Sequence, residues 1–423
     1  MNAYGCGRIP SELCHWITFL TKSLPLRSQS TFVELLIAAM LTTSGFVTDA
    51  YLIIQMKNHW GSYYKWLEKG KWSWLGLARC FTTMVVAWLP DNIVYLVVDD
   101  TLTLRSSKKA PNSQVHHQHG NKPNLATYVL GQCWVTLAVA VENNNGRITA
   151  IPLLNRLIPS ISNTGKLVAA KTLVRATYSL MQGKTVRVLA DSWYMRRVFI
   201  EAMLLRGFEV IGQVRIDTRL YDEPVKRKKQ RGRPRKYGEV YSKKRVAHLK
   251  KTEVTLNLQG KKQKLRYRSK IVKARFINGC LVRAVWSEYY DEKKMQWRRA
   301  RLLISTNTNL SAEQVIIAYN RRWSIESMYN QLKCAWGLKE AWQQTRQTLH
   351  RWVHITMIGY GLMVLLSMTH TKSVANLCNH SPWRAKGTQT AGHIRKGLTK
   401  IFRHVEVRQW WDKKRQIFKP EYG

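Results

Sequence analysis

The order of apolar segments between residues 92 and 214 narrows the folds open to this chain more than any other feature. Residues 92–104 (NIVYLVVDDTLTL) are rich in Val, Leu and Tyr and read as a strand. A second apolar run covers 128–142. A third covers 146–154, after the turn residues Asn143, Asn144, Asn145 and Gly146. Residues 166–181 carry Leu167, Ala170, Leu173, Ala176 and Leu180 at helical spacing. Residues 185–190 form a short strand that runs straight into Asp191. Helical spacing returns over 198–206, and a last strand covers 208–214.

Strand, strand, strand, helix, strand, helix, strand is the chain order of a ribonuclease-H-like fold. The expected class is therefore α/β, a mixed sheet flanked by helices. A β-rich insertion should interrupt it. From Glu239 to Asn307 residues alternate in strand fashion, preceded by KRKKQRGRPRK at 226–236, where eight of eleven positions are basic. Helix resumes at Ser311, with Gln314 three residues on as a capping box, and should run to about Trp336. A second long helix should start near Arg346. The expected divisions are a helical N-terminal region at 1–85, a first core part at 86–215, the insertion at 216–310, a second core part at 311–370, and a basic tail at 371–423. The N-terminal helices are either a small DNA-binding domain or a cap on the core.

Charge points to the partner. Lys and Arg number 69 against 25 Asp and Glu, a formal net charge of +44. So basic a globular protein repels itself unless it meets a polyanion, and nucleic acid is the obvious one. An anionic membrane surface would call for a basic amphipathic helix or a lipidation signal, and neither is evident. The apolar stretch 352–368 is short, carries His354, and reads as a buried helix. Seven scattered cysteines, with no CxxC pair, suit neither a disulfide framework nor a zinc knuckle and fit a reducing cytoplasm.

In so basic a chain, carboxylates that close apolar strands are costly unless paired or metal-bound. Asp99 and Asp100 lie at the end of the first strand, and Asp191 closes the fourth. Glu326 lies on the late helix, in YNRRWSIESMYNQLK. Around it, Tyr319, Arg322, Glu326 and Lys333 are separated by 3, 4 and 7, which places them on one helical face. This pattern resembles the Y-(2)-R-(3)-E-(6)-K signature of bacterial DDE transposases of the "insertion sequence four" type. DDT at 99–101 and the context of Asp191 are similar to that family's first two motifs.

The resemblance implies a DDE transposase in which Asp100, Asp191 and Glu326 hold two Mg²⁺ ions, with Mn²⁺ able to substitute. Asp100 is preferred over Asp99 because the family's aspartate directly precedes Thr, here Thr101. Strand alternation lets only one of the two face the site. Water would cut at the transposon end to free a 3′-OH, which would then attack target DNA. Tyr319, Arg322 and Lys333 would grip phosphate, and Trp323, Trp297 or Trp286 would hold a flipped base. Joining two ends of double-stranded DNA to a target implies a homodimer or larger synaptic complex, cytoplasmic and associated with the bacterial nucleoid. A related DNA endonuclease without integration, or a non-catalytic DNA-binding protein, are the alternatives.

Two further motifs bear on DNA. Arg231-Gly232-Arg233-Pro234 resembles the core of an AT-hook, read either as a minor-groove insert, with Arg231 and Arg233 as contacts, or as an exposed loop touching phosphates. His116, His117 and His119 lack a fourth zinc ligand nearby and read as a solvated or phosphate-contacting loop.

Overall fold

The computed structural model describes residues 9–117, 126–143, 146–159, 163–225, 235–379, 389–403 and 405–420. Five helices come first: α1 (Ser11–Thr21), α2 (Leu26–Leu41), α3 (Val47–Ile53), α4 (Trp60–Lys69) and α5 (Trp74–Trp88). Then follow β1 (Ile93–Leu104), β2 (Gln114–His117), β3 (Tyr128–Glu142), β4 (Ile148–Leu157), α6 (Asn163–Thr177), β5 (Thr185–Ala190), α7 (Arg197–Leu204) and β6 (Glu209–Val214). Apart from the short β2, this is the expected order.

Strand β1 sits at the centre, antiparallel to β3 on one side and parallel to β5 on the other. Strand β6 extends the parallel part, and β4 flanks β3. The result is a mixed sheet, and helices cover it. Residues 131–141 of β3 are all buried, because α6 lies against it on one side and later helices on the other.

The β-rich stretch continues this sheet. It contains β7 (Leu220–Tyr221), a short α8 (Lys243–Ala247), β8 (Thr252–Leu258), β9 (Lys261–Ala274), β10 (Cys280–Asp291), β11 (Gln296–Trp297) and β12 (Arg301–Ser305). Strand β12 pairs antiparallel with β6, and β10, β9 and β8 follow outward. Apolar side chains on β10 and β12, among them Val285 and Leu303, complete the core there. The run 226–234, with Arg231 and Arg233, lies outside the described residues, as does His119.

The late helix is not one unbroken element. Ser311 and Gln314 make the reciprocal capping box, but α9 (Ala312–Asn320) gives way to a 3₁₀ turn at Arg321–Trp323 before α10 (Ser324–Ala335). A 3₁₀ turn holds three residues rather than 3.6, so it changes the phase between Tyr319 and Glu326. Both arginines of that turn reach carboxylates of the sheet, Arg321 to Glu142 and Arg322 to Asp99.

Helix α11 (Arg346–Thr369) is long and apolar enough to cross a membrane, but most of its length is buried among α2, α4, α5 and β4. The tail folds as α12 (Lys372–Cys378), α13 (Ala391–Phe402), which packs on α11, and a hairpin, β13 (Trp411–Asp412) and β14 (Ile417–Phe418), beside α1. Helix α2 lies along α11, and the turn after α2 locks onto the turn after α10. A Cβ on Gly45 would stand 2.1 Å from the Gly337 carbonyl oxygen, and Gly337 itself has φ +66°. The Gly45 carbonyl accepts from Trp352 Nε1 at 2.8 Å and from Gln343 at 3.0 Å. The N-terminal helices are thus fastened to the end of the helix that carries Glu326.

Candidate active site

Parallel pairing brings the first two acidic positions together. The last register pair of β1 and β5 is Val98–Ala190, so the next residue on each strand is Asp99 and Asp191. Neighbours in one register row point to the same side of a sheet. Asp191 caps its own turn, its Oδ1 accepting from the amides of Trp193 at 3.0 Å and Tyr194 at 3.2 Å. Asp99 accepts from the Asp100 amide at 2.8 Å, and its carbonyl oxygen accepts from the Tyr329 hydroxyl at 2.9 Å. Burial, then the nearby Asp191 and Asp100 carboxylates, push the Asp99 carboxyl up to about 8, and Arg322 offsets only part of this. Asp191 is also raised, first by burial.

Glu326 reaches this group through Arg322. The Arg322 guanidinium is almost fully buried. It donates to Glu326 Oε1 at 2.9 Å, one turn along, and to Asp99 Oδ2 at 3.3 Å. It also lies over the rings of Trp323 and Tyr319, at 4.7 and 5.8 Å. Arg322 thus links Glu326 to Asp99, the strand neighbour of Asp191.

Asp100 has partners of its own. As the next residue on β1 it projects to the opposite side, where Lys166 of α6 bridges its Oδ2 at 2.8 Å and the buried Tyr194 hydroxyl donates to its Oδ1 at 2.9 Å. The Cys133 thiol lies 3.6 Å from Oδ2. Burial works most strongly against the Lys166 charge, but Asp100, Cys133 and Asp99 together outweigh it and raise the ammonium. The Thr101 context favours Asp100, whereas the β1–β5 register makes Asp99 the neighbour of Asp191. The tyrosine three residues after Asp191 hinted at Tyr194. Nothing distinguished Lys166 among so many lysines.

A cleft of about 800 Å³ opens over the strand ends, lined by Asp99, Asp100 and Glu326 and rimmed by Lys166, Lys333 and Lys339. An acidic floor with a basic rim suits a phosphodiester backbone brought to a metal-dependent centre. His116 and His117, on β2, also line it; the His116 Nε2 lies 3.2 Å from the Gly131 carbonyl oxygen. Lys333 thus shares the cleft with Glu326, whereas the Tyr319 ring is buried. Of the three tryptophans, Trp286 is buried and Trp323 is exposed. Trp297, half-buried, carries the Arg266 guanidinium 4.4 Å above its ring.

The family profile for DDE superfamily endonucleases matches residues 20–272, more than half of the chain. The chain belongs to the DDE superfamily endonucleases. The matched part of this endonuclease holds Asp99, Asp100 and Asp191 and ends before Glu326. No curated protein matches the chain.

Family membership makes DNA the substrate class and divalent metal ions the usual cofactors. The donor chemistry fits such ions. Asp99 and Asp191 are half-buried acidic neighbours, and desolvation and then their repulsion raise Asp99, a situation that a cation relieves. Among the described residues no group of three His, Cys, Asp or Glu side chains already stands close enough to hold one ion. Here the compensating cation is Arg322.

Proposed function

We propose that this endonuclease is a transposase of the "insertion sequence four" type or a near relative, cutting DNA at element ends and joining the freed 3′-OH to target DNA. In this reading Asp99, Asp191 and Glu326 are the metal-holding carboxylates, with Asp99 in the place that the Thr101 context assigned to Asp100. The observation that carries it is the register of β1 and β5, which makes Asp99 and Asp191 neighbours, together with the Arg322 bridge from Asp99 to Glu326.

Two bound Mg²⁺ ions, or Mn²⁺ in their place, would supply activation of the attacking oxygen and stabilisation of the leaving one. The chain's own residues do the rest. Lys333 and Lys339 on the rim hold the strand by its phosphates. Lys166 and Tyr194 fix Asp100 and so set the direction of β1 beneath Asp99. Trp323, exposed beside Arg322, offers a face on which an unpaired base can stack. Joining two DNA ends to one target calls for a homodimer or a larger complex.

The test is cleavage of DNA carrying the element's own ends, with Mg²⁺, by wild type and Glu326→Gln. Nicked and joined products from the wild type, with none from the variant and with DNA binding retained, are the expected result. A variant that cuts as well as wild type rules out Glu326 as a metal ligand. Nicking without joined product would make the enzyme a nuclease that does not integrate.

A further inference from the structure

A second cavity lies away from the carboxylates, beside β4. It has about 560 Å³ and is bounded by α5, α6, β4 and the first turn of α11. Arg156 of β4 and Arg346 and Gln347 of α11 line it, and among the described residues no acidic one does. Its inner wall includes His350, which is 4% exposed. Among the described residues neither ring nitrogen of His350 has a hydrogen-bond partner. The ring is held by stacking on Trp74, centroids 5.2 Å apart, and by the edge of Trp134 at 5.3 Å. A buried, unpaired polar ring is costly unless something binds it. The end of the 24-residue helix α11 adds amide donors and the positive pole of its dipole. Two arginines, a ring nitrogen and a helix N-terminus without a carboxylate form an anion site.

Its place relates it to the cleft. Asp100 pairs with Val135, and Val135 pairs with Arg156, so Arg156 stands in the same row two strands from Asp100. At about 4.8 Å between strands, that is about 10 Å. Both side chains face α6, which meets Asp100 through Lys166 and lines the cavity with Thr172 and Leu173. A single inorganic phosphate would leave most of this open volume empty, whereas a strand leaving the cleft can lay one backbone phosphate there.

We propose that the cavity at the α11 N-terminus is a phosphate site of its own, in which Arg156, Arg346 and the His350 ring hold a backbone phosphodiester of the bound DNA. The proposal rests on DNA being the substrate and not on which carboxylates hold metal. Helix dipole and arginines supply attraction, and His350 donates from one ring nitrogen to a phosphate oxygen.

The test uses the full chain and a short DNA duplex, with binding constants measured across a range of sodium chloride concentrations. Loss of one phosphate contact makes the slope of log K against log salt shallower by about 0.9. Arg156→Gln/Arg346→Gln should show that change, while Lys400→Gln, an exposed lysine on α13, should keep the wild-type slope. An unchanged slope in the double variant overturns the proposal, and so does an equal change in Lys400→Gln. Thermal unfolding in sodium phosphate against sodium chloride at equal ionic strength separates the sources. Phosphate stabilisation of wild type but not of the double variant, with no change in slope, would mark a free-anion site and sink the DNA assignment. Glu326→Gln keeps the wild-type slope whether or not it cuts, so this proposal and the catalytic reading fail separately.

Discussion

Asp99 and Asp191 occupy adjacent places at the ends of two parallel strands, one step beyond the Val98–Ala190 pair. Asp100, although next to Asp99 in the chain, is taken up by Lys166 and Tyr194 on the other side. The two neighbours should therefore respond differently to substitution. Asp99→Asn should lower Mg²⁺-dependent cleavage at least about 1,000-fold, the scale seen when a group that stabilises transition-state charge is removed. Asp100→Asn, which under the proposed assignment only loosens the support beneath Asp99, should cost about 10–100-fold. Single-turnover cleavage rates decide it, and a larger loss for Asp100→Asn would reverse the assignment.

Arg322 is the buried cation that balances Asp99 in this arrangement. Arg322→Gln leaves the half-buried Asp99 carboxylate without its cation and should destabilise the metal-free protein by about 1–3 kcal/mol. Divalent ions should then restore more stability to the variant than they add to wild type, because they meet the same uncompensated charge. Thermal melts with Mg²⁺ and with chelator measure both. Equal Mg²⁺ increments in the two proteins would show that Arg322 and metal do not serve the same carboxylates.

His350 and His354 make the fold acid-sensitive. Burial, followed by His354, Arg346 and Arg156, brings His350 down to about 3. Burial brings His354 down to about 4, although the His350 carbonyl and the Asn155 amide bond its ring. Their unfolded pKa lies near 6.5. Between these values the unfolded chain binds more protons than the folded one, so stability rises with pH. It is complete above about 6.5 and is lost as pH falls, by up to about 1.4 kcal/mol per histidine per pH unit. Unfolding midpoints from pH 7.5 to 5 should fall for wild type and fall less for His350→Leu. Parallel curves would place the acid sensitivity in other groups.

Gly45 and Gly337 meet backbone to backbone, with no room for a methyl group. Gly45→Ala should cost about 3 kcal/mol through overpacking. The loss should appear as a lower unfolding midpoint and as easier proteolysis of the turn after α10. A variant as stable as wild type would mean that this contact does not hold the N-terminal helices to the end of α10.

Much of the fold was legible in the chain because it rests on local patterns. The bounds of β3 and β5 follow from runs of β-branched and aliphatic residues, and the start of α9 from the Ser311–Gln314 box. The order of these elements alone implied a mixed sheet with carboxylates at its strand ends. Tertiary structure decided which aspartate faces which helix, because a strand reports alternation but not which side will be covered by α6 and which by α10. It broke the late helix at Arg321–Trp323, where arginine side chains are drawn to Glu142 and Asp99, residues far away in sequence. It also gathered Arg156, Arg346 and His350 around one cavity. No spacing rule could have joined them, because their proximity depends on β4 and α11 packing against each other across nearly 200 residues of chain.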